Sequence, residues 1–75
     1  MKTQVTLEKE DIDHMHDVVY EVIMRTPSDE EIVRVWNALP ERIQATAIHW
    51  GCSDTVFRDK MYEWLSENLR EVNLP

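Results

Sequence analysis

Glu10, then His14 or Asp13, then Asp17 and Glu21 fall at successive three- or four-residue steps, so on a helix their carboxylates and one imidazole line one side. Two chemistries suit such a row. Glu10, His14 and Asp17 could reach a common divalent ion, since imidazole and carboxylate ligands one turn apart converge. Alternatively, the row as a whole could meet a partner protein of opposite charge. One helix supplies too few ligands without a second element, so the sequence predicts no metal site. The candidate partner-binding residues are therefore Glu10, Asp13, Asp17, Glu21 and, further along, Glu30.

Nothing else in the chain gathers into a catalytic set. His14 and His16 are two residues apart and point to different sides of a helix, so they cannot act together. His49 lies between Ile48 and Trp50, and Cys52 has no neighbouring His or basic residue in sequence to activate its thiol. One Gly cannot build a phosphate-cradling loop, and no Cys/His spacing matches a zinc site. The expectation is a protein that is not an enzyme and carries no cofactor.

Charge sharpens the partner question. Residues 8 to 31 hold nine acids (Glu8, Glu10, Asp11, Asp13, Asp17, Glu21, Asp29, Glu30, Glu31) against Lys9 and Arg25, which accounts for the whole formal charge of −7. In the rest of the chain six acids are balanced by six bases. An acidic flank repels phosphate backbones and attracts basic surfaces, which makes nucleic acid an unfavoured ligand and a basic protein a favoured one.

Seventy-five residues make one domain, near the lower limit for a single apolar core. With 43% apolar residues, including three Trp, two Tyr, one Phe and four Met, the chain has the material for such a core. The aromatics exceed what so small a core needs, so an exposed one could anchor a partner or a second copy in a homodimer. A lone Cys cannot form an internal disulfide, and the first residues lack a signal-peptide apolar run, so the expected compartment is the cytoplasm. The longest apolar runs, such as Val22-Ile23-Met24, are far short of a membrane span.

The elements that must position these residues read as four helices, an all-α bundle. Ile12, Met15, Val18, Val19, Val22 and Ile23 line one face of a first helix that starts between Thr6 and Glu10 and ends near Met24. Residues 1 to 8 could form an extended arm. Ser28 with Glu31 is a capping box that opens a second helix, Asp29 to about Ala38, drawing its core from Ile32, Val33, Val35, Trp36 and Leu39. Pro40 ends it and introduces a third, Glu41 to Trp50, with apolar positions Ile43, Ala47, Ile48 and Trp50 and Gly51 as a left-handed cap. Ser53 is the expected cap of a fourth helix reaching about Glu71, with Cys52 and Phe57 stapling its start and an apolar stripe of Val56, Phe57, Met61, Trp64, Leu65 and Leu69.

Between Ala45 and Leu65 the spacing resembles a helix-turn-helix. Ala47 is the small residue of the first helix, Gly51 permits the turn, and Phe57 locks the second helix against the first. The resemblance implies a dimeric DNA-binding regulator in which Thr55, Arg58 and Lys60 face the groove. The sequence departs from that pattern where DNA would be read, because Asp54, Asp59 and Glu63 cancel Arg58 and Lys60. The segments Leu39-Pro40-Glu41-Arg42-Ile43-Gln44, Trp50-Gly51-Cys52-Ser53-Asp54-Thr55 and Arg58-Asp59 also resemble short accessory proteins of phages and mobile elements. That resemblance implies a small helical protein that engages a host or phage protein, including inhibitors of host defence or transcription. Combined with the acidic flank, the leading expectation is an inhibitor whose carboxylates occupy a basic groove that normally holds nucleic acid.

Overall fold

The computed structural model describes residues 7 to 74. Four helices follow in order: α1 (Lys9–Ile23), α2 (Asp29–Ala38), α3 (Glu41–Trp50) and α4 (Thr55–Val72), with no strand among the described residues. α4 is the central helix, packing against each of the other three, and α1 and α2 also pack on each other. The buried core takes Met15, Val18 and Val19 from α1, Ile32, Val35 and Trp36 from α2, Ile43 and Ala47 from α3, and Phe57, Met61, Leu65 and Val72 from α4, with Leu39 and Cys52 from the connections. Trp36 meets Phe57 edge to face, with ring centroids 6.2 Å apart, the arrangement that the aromatic quadrupole favours.

Local chemistry sets each helix end. Asp11 reaches back to accept the Glu8 backbone N–H at 3.1 Å, fixing the start of α1. The Ser28–Glu31 capping box forms as expected: Glu31 N–H donates to Ser28 Oγ at 3.2 Å, and Ser28 N–H donates to Glu31 Oε1 at 2.9 Å. Leu39 is extended ahead of Pro40, because a proline ring disfavours helical geometry in the preceding residue. The Gln44 side chain then donates to the Trp36 carbonyl at 2.7 Å, satisfying an acceptor near the end of α2.

Several sequence expectations need correction. The cap of α4 is Asp54, not Ser53: its Oδ2 accepts from Val56 N–H at 2.9 Å and from Phe57 N–H at 3.2 Å. A carboxylate at this end also complements the helix dipole, an advantage a hydroxyl lacks. Gly51 has positive φ, 97°, but its ψ of 160° is extended rather than left-handed helical. Val33, Ile48, Trp50 and Val56 lie exposed instead of in the core, since α2, α3 and the first turn of α4 each bury only one side against the other described helices. Of the proposed arm, residues 1 to 6 lie outside the described residues, Leu7 packs against the core and Glu8 caps α1. Asn68 interrupts α4 with φ −126° and ψ 26°, and its side-chain amide donates to the Trp64 carbonyl at 2.9 Å. Two residues earlier Ser66 Oγ donates to the Tyr62 carbonyl at 2.8 Å. Side chains that compete for helix carbonyls in this way bend the ladder.

Candidate functional site

α1 turns Met15, Val18 and Val19 inward, so the opposite side of the same helix presents the acidic row. Glu10, Asp13, Asp17 and Glu21 are all exposed, as is Glu30 in the first turn of α2. His16 Nε2 lies 2.9 Å from Asp29 Oδ1, which ties the start of α2, and Glu30 with it, to the side of α1. Two members of the row have a cationic or basic neighbour: Glu10 lies 3.9 Å from His14, and Asp17 lies 3.9 Å from Arg58. Among the described residues, Asp13, Glu21 and Glu30 have no ion-pair partner. On the helix, Asp13, Asp17 and Glu21 recur at steps of about 6 Å along the axis.

Arg58 is the residue whose role changes most between sequence and structure. Its Nη1 donates to the His14 carbonyl at 2.5 Å while Nη2 faces Asp17, so the guanidinium pins α4 to α1. In the helix-turn-helix resemblance this side chain would reach for DNA. Thr55 and Lys60 are exposed, and Lys60 shares a shallow depression of about 120 Å³ with Arg42, Ile43, Glu63, Trp64 and Glu67. The two cations there sit beside two carboxylates. α3, the Gly51 turn and α4 do form the corner that the spacing implies, but the second helix of that corner is the central helix of the bundle.

The link between α1 and α2 is held by a contact that sequence spacing only half revealed. Arg25 grips Glu31 through two parallel bonds, Nη1 to Oε1 at 3.0 Å and Nη2 to Oε2 at 2.6 Å. This fork geometry is the strong form of an ion pair. Arg25 and the Ser28 backbone N–H, both donating to the carboxylate, hold Glu31 at about 2, well below its ordinary value of 4.5. The capping box pointed to Glu31 but carried no sign of Arg25, because that pairing depends on how the Thr26-Pro27-Ser28 turn folds back.

A pH prediction follows from the depressed value. A carboxyl bound more tightly as the anion in the folded chain contributes stability above its unfolded value and loses it as pH falls toward the folded one. Unfolding midpoints should therefore decline between about pH 4.5 and 2, and Glu31→Gln should flatten that part of the profile while lowering stability near neutrality. Chemical denaturation at half-unit pH steps measures both. An unchanged acid limb in the variant would mean that other carboxylates govern it.

Cys52 is buried, and its thiol is pushed up to about 12, first by burial and then by the nearby Asp11 carboxylate. The thiol is held in its protonated, unreactive form. No three His, Cys, Asp or Glu side chains converge as metal ligands among the described residues, and Asp17, one of the three considered from sequence, faces Arg58 instead. No described helix is long and apolar enough to cross a membrane.

Of the three tryptophans, Trp36 is buried, Trp64 partly so and Trp50 57% exposed, with the His49 ring against it edge to face at 4.8 Å. The surplus of aromatics was legible in composition, but not that Tyr20 and Tyr62 would stand outside together with Trp50. Compared with known proteins, the chain matches no family model, no curated protein and no solved structure.

Proposed function

We propose that this chain is a small acidic helical protein that binds a basic protein of a host or phage and inhibits it by occupying a groove that ordinarily holds nucleic acid. The observation that carries this reading is the state of the acidic row. All five candidate carboxylates are exposed, and three of them have no ion-pair partner among the described residues. Asp13, Asp17 and Glu21 stand one turn apart on α1, and like charges at that spacing repel one another by a few tenths of a kcal/mol each in an isolated helix, so a cationic surface that neutralises them gains from relief of that repulsion as well as from direct attraction. A rigid scaffold favours the same reading, because α1 is fixed to α4 by Arg58 and to α2 by His16. Carboxylates on a fixed helix need less ordering on binding than those on a loop.

Charge reversal tests the proposal. Asp17 is left alone because its replacement by Lys would repel Arg58, so the variant is Glu10→Lys, Asp13→Lys and Glu21→Lys. Wild type and variant are immobilised and exposed to nuclease-treated lysate. A protein held by wild type, released by heparin and absent from the variant is the expected result. Equal retention on both would remove the acidic row from the mechanism.

A further inference from the structure

The outward side of α1 is not purely acidic. Asp13, Asp17, Tyr20 and Met24 follow one another at four-, three- and four-residue steps, the spacing that keeps side chains on one line of a helix. That line runs opposite Met15, Val18 and Val19, which face the core. Two turns of carboxylate therefore lead into one turn of apolar surface, with Tyr20 48% and Met24 75% exposed. Met24 N–H donates to the Tyr20 carbonyl at 2.7 Å, which closes α1 and fixes Met24 one turn beyond Tyr20.

Met24 holds this place against a backbone cost. At φ 60° and ψ 31° it adopts the left-handed conformation, which glycine or asparagine ordinarily fills at the end of a helix. Its side chain is neither in the core nor packed against it, so no contact within the core offsets that cost. Tyrosine is enriched among the residues that dominate interface energetics, and the flexible thioether of methionine adapts to an apolar contact.

We propose that Tyr20 and Met24 are the apolar anchor of the acidic face, and that its occupant is a cationic amphipathic helix of a partner protein. The anchor rests on the reading above that α1 meets a basic protein. Charge selects the occupant. Asp13 and Glu21, which border the anchor on the same helix, have no ion-pair partner among the described residues. Lys9, at the far end, is the one Lys or Arg in α1, and Arg25, next after Met24, is turned to Glu31. A partner without cations would desolvate these carboxylates uncompensated, and a second copy of this face would set acid against acid. A helix is the fitting shape, because four-three-four spacing is the one by which two helices interlock. Its apolar side chains would cover Tyr20 and Met24 while its Lys or Arg side chains met Asp13 and Glu21.

Fluorescence anisotropy with two labelled peptides of equal charge tests the anchor on the full chain. One is a peptide of leucine and lysine whose leucines recur at helical spacing, and the other is oligolysine. Wild type should bind the first more tightly by about tenfold or more. Tyr20→Ser and Met24→Gly should each cut that preference several-fold. Met24→Gly should at the same time raise the thermal midpoint, since glycine relieves the left-handed strain; a methionine kept for the fold would lower it. Trp50→Ser, on α3, should leave the preference intact, and Glu10→Lys, Asp13→Lys and Glu21→Lys together should abolish binding of both peptides. Equal binding of the two peptides by wild type overturns the anchor alone, as does a preference that survives Tyr20→Ser and Met24→Gly or vanishes in Trp50→Ser. Binding of neither peptide removes the basic partner and the anchor together.

Discussion

Phe57→Ala is expected to lower the free energy of unfolding by about 3–5 kcal/mol, the usual range for emptying a fully buried aromatic site. A 75-residue chain has roughly 4–11 kcal/mol in total, so this one substitution removes a large share of it and can leave the chain largely unfolded at 37 °C. The effect is large because Phe57 is fully buried in the first turns of the central helix and stacks edge-on against Trp36 of α2. Its backbone N–H is also held by the Asp54 cap. The core here joins α4 to α2, and the turn just before it leads back to α3, so the loss is felt by three elements. Urea unfolding followed by far-ultraviolet circular dichroism measures the change, and near-ultraviolet dichroism reports the Trp36 environment. A loss below about 1 kcal/mol would show that the neighbours collapse into the space left behind.

Gly51→Ala should cost about 1–3 kcal/mol, for a different reason. At φ 97° and ψ 160° the backbone lies in a region open essentially to glycine alone. Space is not the obstacle, since an added Cβ would find its nearest neighbour, Ser53 Oγ, 4.0 Å away. The strain is therefore conformational. Asparagine, which tolerates the left-handed helical region, should not rescue the position, because that region requires ψ near 45°. A stability series of glycine, alanine and asparagine decides the point: recovery in Gly51→Asn would mean the turn relaxes to a left-handed cap. The hydrogen bond from Asp54 N–H to the Gly51 carbonyl, 3.2 Å, closes this turn, so a shift here would also move the cap of α4 and the start of the Phe57 contact.

Both substitutions fall in the segment that resembles a helix-turn-helix, and the residues carrying that resemblance, Ala47, Gly51 and Phe57, act as packing and turn residues in the bundle. The residue that would have extended the resemblance to DNA, Arg58, is committed to the His14 carbonyl and Asp17, which no spacing rule within α3 and α4 could reveal because its partners lie more than forty residues earlier.

Local signals were read well where the physics is local. The bounds of α2 and α3 follow from the Ser28–Glu31 box, Pro40 and Gly51, because caps and breakers act within one turn of chain. The acidic row was legible for the same reason: helical periodicity alone places Glu10, Asp13, Asp17 and Glu21 opposite Met15, Val18 and Val19. Errors arose where two local options are close in energy. Ser53 and Asp54 both suit a cap, and the closing of the turn from Gly51 to Asp54 decided between them. Asn68 breaks the regularity of α4 through a side-chain bond to a carbonyl one turn back, which apolar periodicity does not register.

The sequence by itself determined that the chain is an all-α domain, where its helices begin and end to within a residue or two, and which side of α1 is charged. All of these depend on interactions between residues at most four apart. Tertiary structure alone decided that α4 is central, that Arg58 and Arg25 are spent on internal contacts, and that Ile48 and Trp50 stand outside while Trp36 is buried. Those outcomes depend on which faces meet when four helices share one small core. Periodicity gives each helix an apolar side, but with so few elements some apolar side chains are left uncovered, and only the packing selects which ones.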